Sequence, residues 1–142
     1  MKRILVVNGP NLNLLGIREP EIYGKGTYAE LVKQIRDHAA ARGAEAAVFQ
    51  SNHEGAIVDR IQEAYGAFDG IVVNPAAYTH TSVAIADALK AVAIPYVEVH
   101  LSDIDAREPF RKISYVASAA AKRITGRGFA GYLEAIDFLL SL

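Results

Sequence analysis

The sequence predicts an α/β fold: a doubly wound, five-stranded parallel sheet with helices on both faces. Two observations carry that prediction. Short, continuously apolar runs recur along the 142 residues, and segments of helical periodicity separate them. Strands that are apolar on both faces belong to a parallel sheet covered on each side. Alternated with helices through right-handed crossovers, they build the flavodoxin-like architecture.

The elements follow in order. "RILVV" (Arg3–Val7) is a buried strand stopped by "NGPN". After it comes a long connection, about residues 16–27, rich in charge and glycine, of the kind that serves as a lid or binding loop. Thr27 is a good N-cap with Glu30 three residues on, a capping box. Leu31, Ile35 and Ala39 then recur at helical spacing over Tyr28–Arg42, and Gly43 ends the helix. Ala44–Gln50 is the second strand. "SNHEGAIVDRIQEAYGAF" contains a helix with Ile57, Ile61 and Ala64 on one face.

Gly70–Pro75 is the third strand, stopped by proline. "THTSVAIADALKAV" is the third helix and Ile94–Ser102 the fourth strand. "AREPFRKISY" is irregular, with a helical turn. Ser118–Thr125 is expected as a fifth strand, although its alanines suit a helix. "FAGYLEAIDFLLSL" closes the chain as a helix with Leu133, Ile136 and Leu140 on its stripe. No repeat or linker divides the chain, so residues 1–142 are expected to form a single domain.

Bulk properties narrow the class. A chain this long buries roughly 68–70% of its unfolded surface, enough to fold without staples. It has no cysteine, which excludes disulfides and thiolate-bound metal. A net charge of -1 argues against a nucleic-acid binder. The apolar run in "MKRILVVNGPN" is too short for a signal peptide, and no run approaches a membrane span. A soluble, cytoplasmic protein is expected.

Ligands of open parallel sheets bind at the carboxyl ends of the strands. Strand one ends in Asn8-Gly9-Pro10-Asn11, strand three in Asn74-Pro75-Ala76-Ala77-Tyr78-Thr79-His80, and strand four in Glu98-Val99-His100-Leu101-Ser102. Amides, imidazoles, hydroxyls and a carboxylate thus meet at one edge. Glu98 and His100 are two apart on a strand and share a face. Glu98 can fix the tautomer of His100 and favour its charged form, leaving the other ring nitrogen for proton transfer. A strand-end histidine alone reads as structural; Glu98 beside it and Ser102 after it favour chemistry. Thr81 or Ser82 can cap the helix after His80. His38 reads as a solvated helix residue, and His53 belongs to the start of a helix rather than to a site. The four histidines lack metal-ligand spacing, so no metal site is expected.

Arg18 and Tyr23 lie in the long connection. A nearby arginine favours a phenolate and could make Tyr23 a base. From residue types alone, an aromatic anchor packed under the loop is the better reading. "GRGFAG" (Gly126–Gly131) matches a dinucleotide-binding pattern, but too little chain follows for the acidic ribose partner. Its glycines read as close packing and a tight turn. "GKGT" (Gly24–Thr27) lacks the leading glycine of a phosphate loop, because Glu19 stands there. Strand three lacks the aspartate of a receiver domain, and "NGPNLN" lacks the hydroxyls of a flavodoxin phosphate loop.

Five motifs in order, "NGPNLNLLGIREPEIYG", "FQSNHEGAIVDRI", "VVNPAAYTHTSVAIADAL", "PYVEVHLSDIDAREPFRKISY" and "GFAGYLEAI", resemble those of type II 3-dehydroquinate dehydratases over about Ile4 to Ile136. The resemblance implies a flavodoxin-like hydro-lyase that converts 3-dehydroquinate to 3-dehydroshikimate by anti elimination through an enolate. That reaction is the third step of the shikimate pathway. It implies no cofactor and an assembly of four trimers. It implies Tyr23 as the proton acceptor, Arg18 as its activating neighbour and transition-state stabiliser, and His100 as the proton donor oriented by Glu98. Asn11 would help hold the enolate. Asn74, His80, Leu101, Ser102 and Arg111 would bind substrate, and Asp87 would reach a neighbouring subunit's site. Ala76 stands where the resemblance leads one to expect glycine. Lys122 and Arg127 stand where it leads one to expect a small and an apolar residue. The alternatives on the same fold are a flavin- or small-ligand-binding module and a signalling domain.

Overall fold

The computed structural model describes residues 1–17 and 26–142. Five parallel strands form one sheet: β1 (Arg3–Asn8), β2 (Glu45–Gln50), β3 (Gly70–Asn74), β4 (Tyr96–His100) and β5 (Lys122–Thr125), in the order β2-β1-β3-β4-β5. The flavodoxin-like prediction is therefore met. The order reverses between β2-β1 and β3, and ligand clefts of doubly wound sheets open at such a switch point. Among the described residues, four α-helices cover the faces: α1 (Tyr28–Ala41), α2 (Glu54–Glu63), α3 (Val83–Val92) and α4 (Ala130–Leu140).

Strand alternation divides the core in two. Ile4, Val6, Val72, Val97 and Val99 face one side, where Leu31 and Ile35 of α1 and Tyr132, Ile136 and Leu139 of α4 cover them. Leu5, Val7, Ile71 and Val73 face the other, against Ile57 and Ile61 of α2 and Ile85 and Leu89 of α3. All of these side chains are buried. Each fully buried aliphatic side chain contributes about 1.5–3 kcal/mol relative to exposure, so both faces are needed to hold the sheet.

The helix ends follow the expected chemistry. Thr27 Oγ1 accepts from Glu30 N–H at 3.2 Å and Glu30 returns a contact to Thr27 N–H, completing the capping box. Of the two candidate caps for α3, Ser82 serves: its Oγ accepts from Ile85 N–H at 3.0 Å. That helix starts later than predicted, because Ala76–His80 forms a separate 3-10 turn.

Two further predictions need correction. The fifth strand covers only Lys122–Thr125; Ala117–Ala119 forms a 3-10 turn, in keeping with the poor strand propensity of alanine. The buried stripe of α4 is Tyr132, Ala135, Ile136 and Leu139, not Leu133, Ile136 and Leu140. Leu133 and Leu140 are half-buried beside it. The glycines of "GRGFAG" do make a tight turn, with Gly126 and Gly128 at φ 72° and 58°. Among the described residues, no helix is long and apolar enough to cross a membrane.

Candidate active site

A cavity of about 170 Å³ opens at the carboxyl ends of β1, β3 and β4. Pro10, Asn11 and Leu12 line it from the turn after β1, and Asn74, Ala76, Ala77 and His80 from the end of β3. His100, Leu101, Ser102 and Ile104 line it from β4 and beyond, with Arg107 and Arg111 on the following segment. Seven of the predicted site residues are thus brought together: Asn11, Asn74, His80, His100, Leu101, Ser102 and Arg111.

The walls are built under strain. Asn11 and Ala76 both adopt left-handed backbone, at φ 70° and 55°. Such angles cost an L-residue roughly 1–2 kcal/mol, and strained backbone of this kind clusters at functional sites. The close approach of the two turns demands glycine at position 9, because a Cβ there would sit 2.3 Å from the Pro75 carbonyl oxygen. The turn after β1 is pinned from β2. Gln50 Nε2 donates to the Gly9 carbonyl at 3.1 Å, and Asn11 N–H donates to Asn52 Oδ1 at 3.0 Å.

Glu98 lies behind His100 and is fully buried. His100 Nε2 donates to Glu98 Oε2 at 2.5 Å, which leaves Nδ1 for a ligand in the cavity. Ser114 Oγ donates to the same carboxylate oxygen at 2.9 Å, and Arg123 Nε lies 3.3 Å from it. Burial alone raises the pKa of this carboxyl. The hydrogen bond and charge of His100, the Ser114 hydroxyl and the Arg123 charge outweigh it and hold the group below its ordinary value. Glu98 is therefore an anion at neutral pH.

His80 is tuned the other way. Burial pushes its pKa down, the Ile113 hydrogen bond opposes that, and the Arg111 and His100 charges lower it further. A neutral ring whose Nδ1–H donates to the Ile113 carbonyl at 2.7 Å presents Nε2 to the cavity as an acceptor. The two cavity histidines thus differ in their partners: His100 is paired with a buried carboxylate, and His80 with a backbone carbonyl.

Arg111 packs over the Phe110 ring at 5.0 Å and pairs with Glu108. Asn74 Nδ2 donates to the Tyr132 hydroxyl at 2.9 Å, and that hydroxyl donates to Asn8 Oδ1 at 2.7 Å. Asp87 is exposed on α3 and does not line the cavity. Arg18 and Tyr23 lie outside the described residues.

Several participants were not singled out from the sequence. Arg107 lines the cavity, and its position four residues before Arg111 in one loop is a signal that was present. Ser114 and Arg123 reach Glu98 from distant segments, and Tyr132 braces Asn74 from α4; no local pattern marks them.

The comparisons agree with this geometry. The family model described as dehydroquinase class II matches residues 2–140. The chain is 59% identical over 136 residues to the catabolic 3-dehydroquinase of Aspergillus clavatus, covering 96% of this chain and 91% of that one. It is 58% identical over 141 residues to 3-dehydroquinate dehydratase 1 of Ralstonia nicotianae, covering 97% and 89%. The crystal structure of type II dehydroquinase from Butyrivibrio crossotus superposes with a TM-score of 0.96 at 52% identity, covering 98% of this chain and 97% of that chain. A family match over nearly the whole chain, and a cavity that brings the predicted strand-end residues together, lead to one assignment: the chain belongs to the class II dehydroquinase family.

Proposed function

We propose that this protein dehydrates 3-dehydroquinate to 3-dehydroshikimate, the third step of the shikimate pathway. The carrying observation is the His100–Glu98 pair, buried at 2.5 Å, at the wall of a cavity lined with amides, a hydroxyl and two arginines. Such a lining suits a small polyhydroxylated carboxylate.

In this reading Tyr23 removes the proton beside the ketone. Arg18 favours its phenolate by charge. Electrons from the broken C–H bond move into an enolate, and Asn11 helps to stabilise the developing oxyanion. The enolate then collapses and expels the hydroxyl, which takes a proton from His100 Nδ1 and leaves as water. Glu98 orients the ring and balances its charge. Arg111 pairs with the substrate carboxylate through its planar fork. Asn74, His80, Leu101 and Ser102 bind the hydroxyls. The elimination is anti, with base and acid on opposite faces of the ring, and it uses no cofactor and no metal.

Residues 1–142 act as a single catalytic domain, with about residues 16–27 as a lid over the cavity. The assembly is a cytoplasmic dodecamer of four trimers in which Asp87 reaches a neighbouring site. The exposed Asp87, with exposed Val83, Phe110, Ile113 and Tyr115, supports a buried interface on that side. The flavin-binding alternative has no observation in its favour.

Proton NMR of 3-dehydroquinate incubated with the purified protein tests this reading. Appearance of the vinyl proton of a conjugated enone supports it, and an unchanged substrate spectrum overturns it.

A further inference from the structure

Arg123 stands opposite Glu98 in the β4–β5 ladder, so both side chains rise from the same face of the sheet. Its Nε lies 3.3 Å from Glu98 Oε2, and its Nη1 lies 3.7 Å from Asp105 Oδ2. The Arg123 side chain is 29% exposed and that of Glu98 is 0% exposed. Arg123 Nε and Nη2 are buried without a hydrogen-bond partner, so the guanidinium meets the carboxylate by charge rather than by a directed bond. Oxygen Oε2 therefore serves three groups at once: the His100 ring, the Ser114 hydroxyl and the Arg123 cation.

We propose that Arg123 is a positioning residue for proton donation, sharing the Glu98 charge so that His100 releases its proton more readily to the leaving hydroxyl. The inference rests on the reading above, in which His100 is the proton donor. A buried carboxylate facing an imidazolium alone would hold that proton tightly, because charges interact strongly in a dry site. A second, permanent cation on the same oxygen weakens that grip and also repels the charged ring. Arg123 keeps its own proton throughout, since guanidinium does not deprotonate in proteins. One proton moves, from His100 Nδ1 to the departing oxygen, and the C–O electron pair leaves with that oxygen as water forms.

Among the described residues, the charged and titratable groups around the pair come from each neighbouring element. They are Tyr96 from β4, Arg123 from β5, His80 from the turn after β3, and Asp105, Arg107 and Arg111 from the segment after β4. Arg123 differs from the other cations in touching Glu98 directly, and it stands outside the cavity lining.

The test has an arm that needs no substrate. In ¹⁵N-histidine NMR of the full-length protein, the pH at which the His100 ring resonances change should be about one unit higher in Arg123→Met than in the wild type. Arg123→Lys, which keeps the charge, should stay near the wild type. Asp105→Asn should shift it the opposite way and by less, since it leaves the guanidinium less compensated; this exposed position also guards against a misfolded Arg123→Met. In turnover, Arg123→Met should lose about tenfold in kcat with KM within about twofold, and the basic limb of its pH profile should move up. A His100 ring that titrates identically in wild type, Arg123→Met and Asp105→Asn overturns the inference. So does an equal change in Arg123→Met and Arg123→Lys, which would mean a packing role. A wild type inert toward 3-dehydroquinate overturns the functional reading instead, and the NMR arm still decides this one.

Discussion

Asn74 lines the cavity with its side-chain amide donating to the Tyr132 hydroxyl at 2.9 Å, so a wall of the site is braced by a helix of the core. The same hydroxyl donates to Asn8 Oδ1 at 2.7 Å, and Asn8 Nδ2 donates to the Tyr28 hydroxyl at 3.3 Å. Asn8 and Asn74 end adjacent strands in register, so one phenol ties two strand ends together. Burial pushes the Tyr132 phenol well above its usual range, which keeps the donor proton on the ring. Replacing Tyr132 by Phe leaves two buried amides short of a partner. Urea unfolding should show a loss of about 1–3 kcal/mol. Steady-state kinetics should show a raised KM, since Asn74 loses its anchor.

Ala76 offers a gain. Its φ of 55° is the unusual angle that a glycine would adopt freely. Relief of that strain exceeds the added chain entropy of glycine by a fraction of the roughly 1–2 kcal/mol involved. Ala76→Gly should therefore raise stability by about 0.5–1 kcal/mol in denaturant titrations. A destabilised variant would mean that the methyl group contributes more packing than the angle costs.

Glu98 links the site to acid stability. Its folded pKa lies below the ordinary 4.5. The unfolded chain therefore takes up a proton at higher pH than the folded one. The contribution is complete above about pH 4.5 and fades as the pH falls through the depressed folded value. Glu98→Gln should cost about 2 kcal/mol at neutral pH. That is less than the usual loss for a broken buried pair, because Arg123 is 29% exposed. Thermal unfolding below about pH 4 should show the gap between variant and wild type narrowing. A gap that stays constant with pH would mean that the carboxylate charge is not what the site stabilises.

Tyr23 and Arg18 make separable predictions. If Tyr23 is the base, as proposed, Tyr23→Phe should lower turnover by about 10²–10⁴ while substrate binding is largely retained. Under the proposed mechanism, Arg18→Ala should lower turnover less and move the acid limb of the pH profile upward, because a cation favouring the phenolate would be lost. Single-turnover kinetics with equilibrium binding separates the two effects.

The sheet and its helices were legible because β1 and β3 are apolar on both faces, β4 carries Val97 and Val99 on one face, and α1 carries its own cap. The fifth strand was not, for a physical reason. Of Lys122–Thr125 only Ile124 is buried, while Lys122 is exposed and Arg123 is engaged with Glu98. An edge strand with one apolar residue has no apolar run to read. The site was legible where it lies at strand ends: the two-residue spacing of Glu98 and His100 became a hydrogen bond. What stayed hidden depends on partners far along the chain. Arg123 meets Glu98 only through the register of β4 against β5, and Tyr132 meets Asn74 only through the packing of α4. The stripe of α4 was misread because Tyr132, the largest fully buried side chain, carries a hydroxyl that finds its partners inside.

The most direct test of the central claim is ultraviolet absorbance after 3-dehydroquinate is added to the purified, chelator-treated protein without nucleotide or metal. The product is a conjugated enone and the substrate is not. A steady rise in absorbance, abolished by Tyr23→Phe, is the expected result. A flat trace from folded, oligomeric wild-type protein would contradict it.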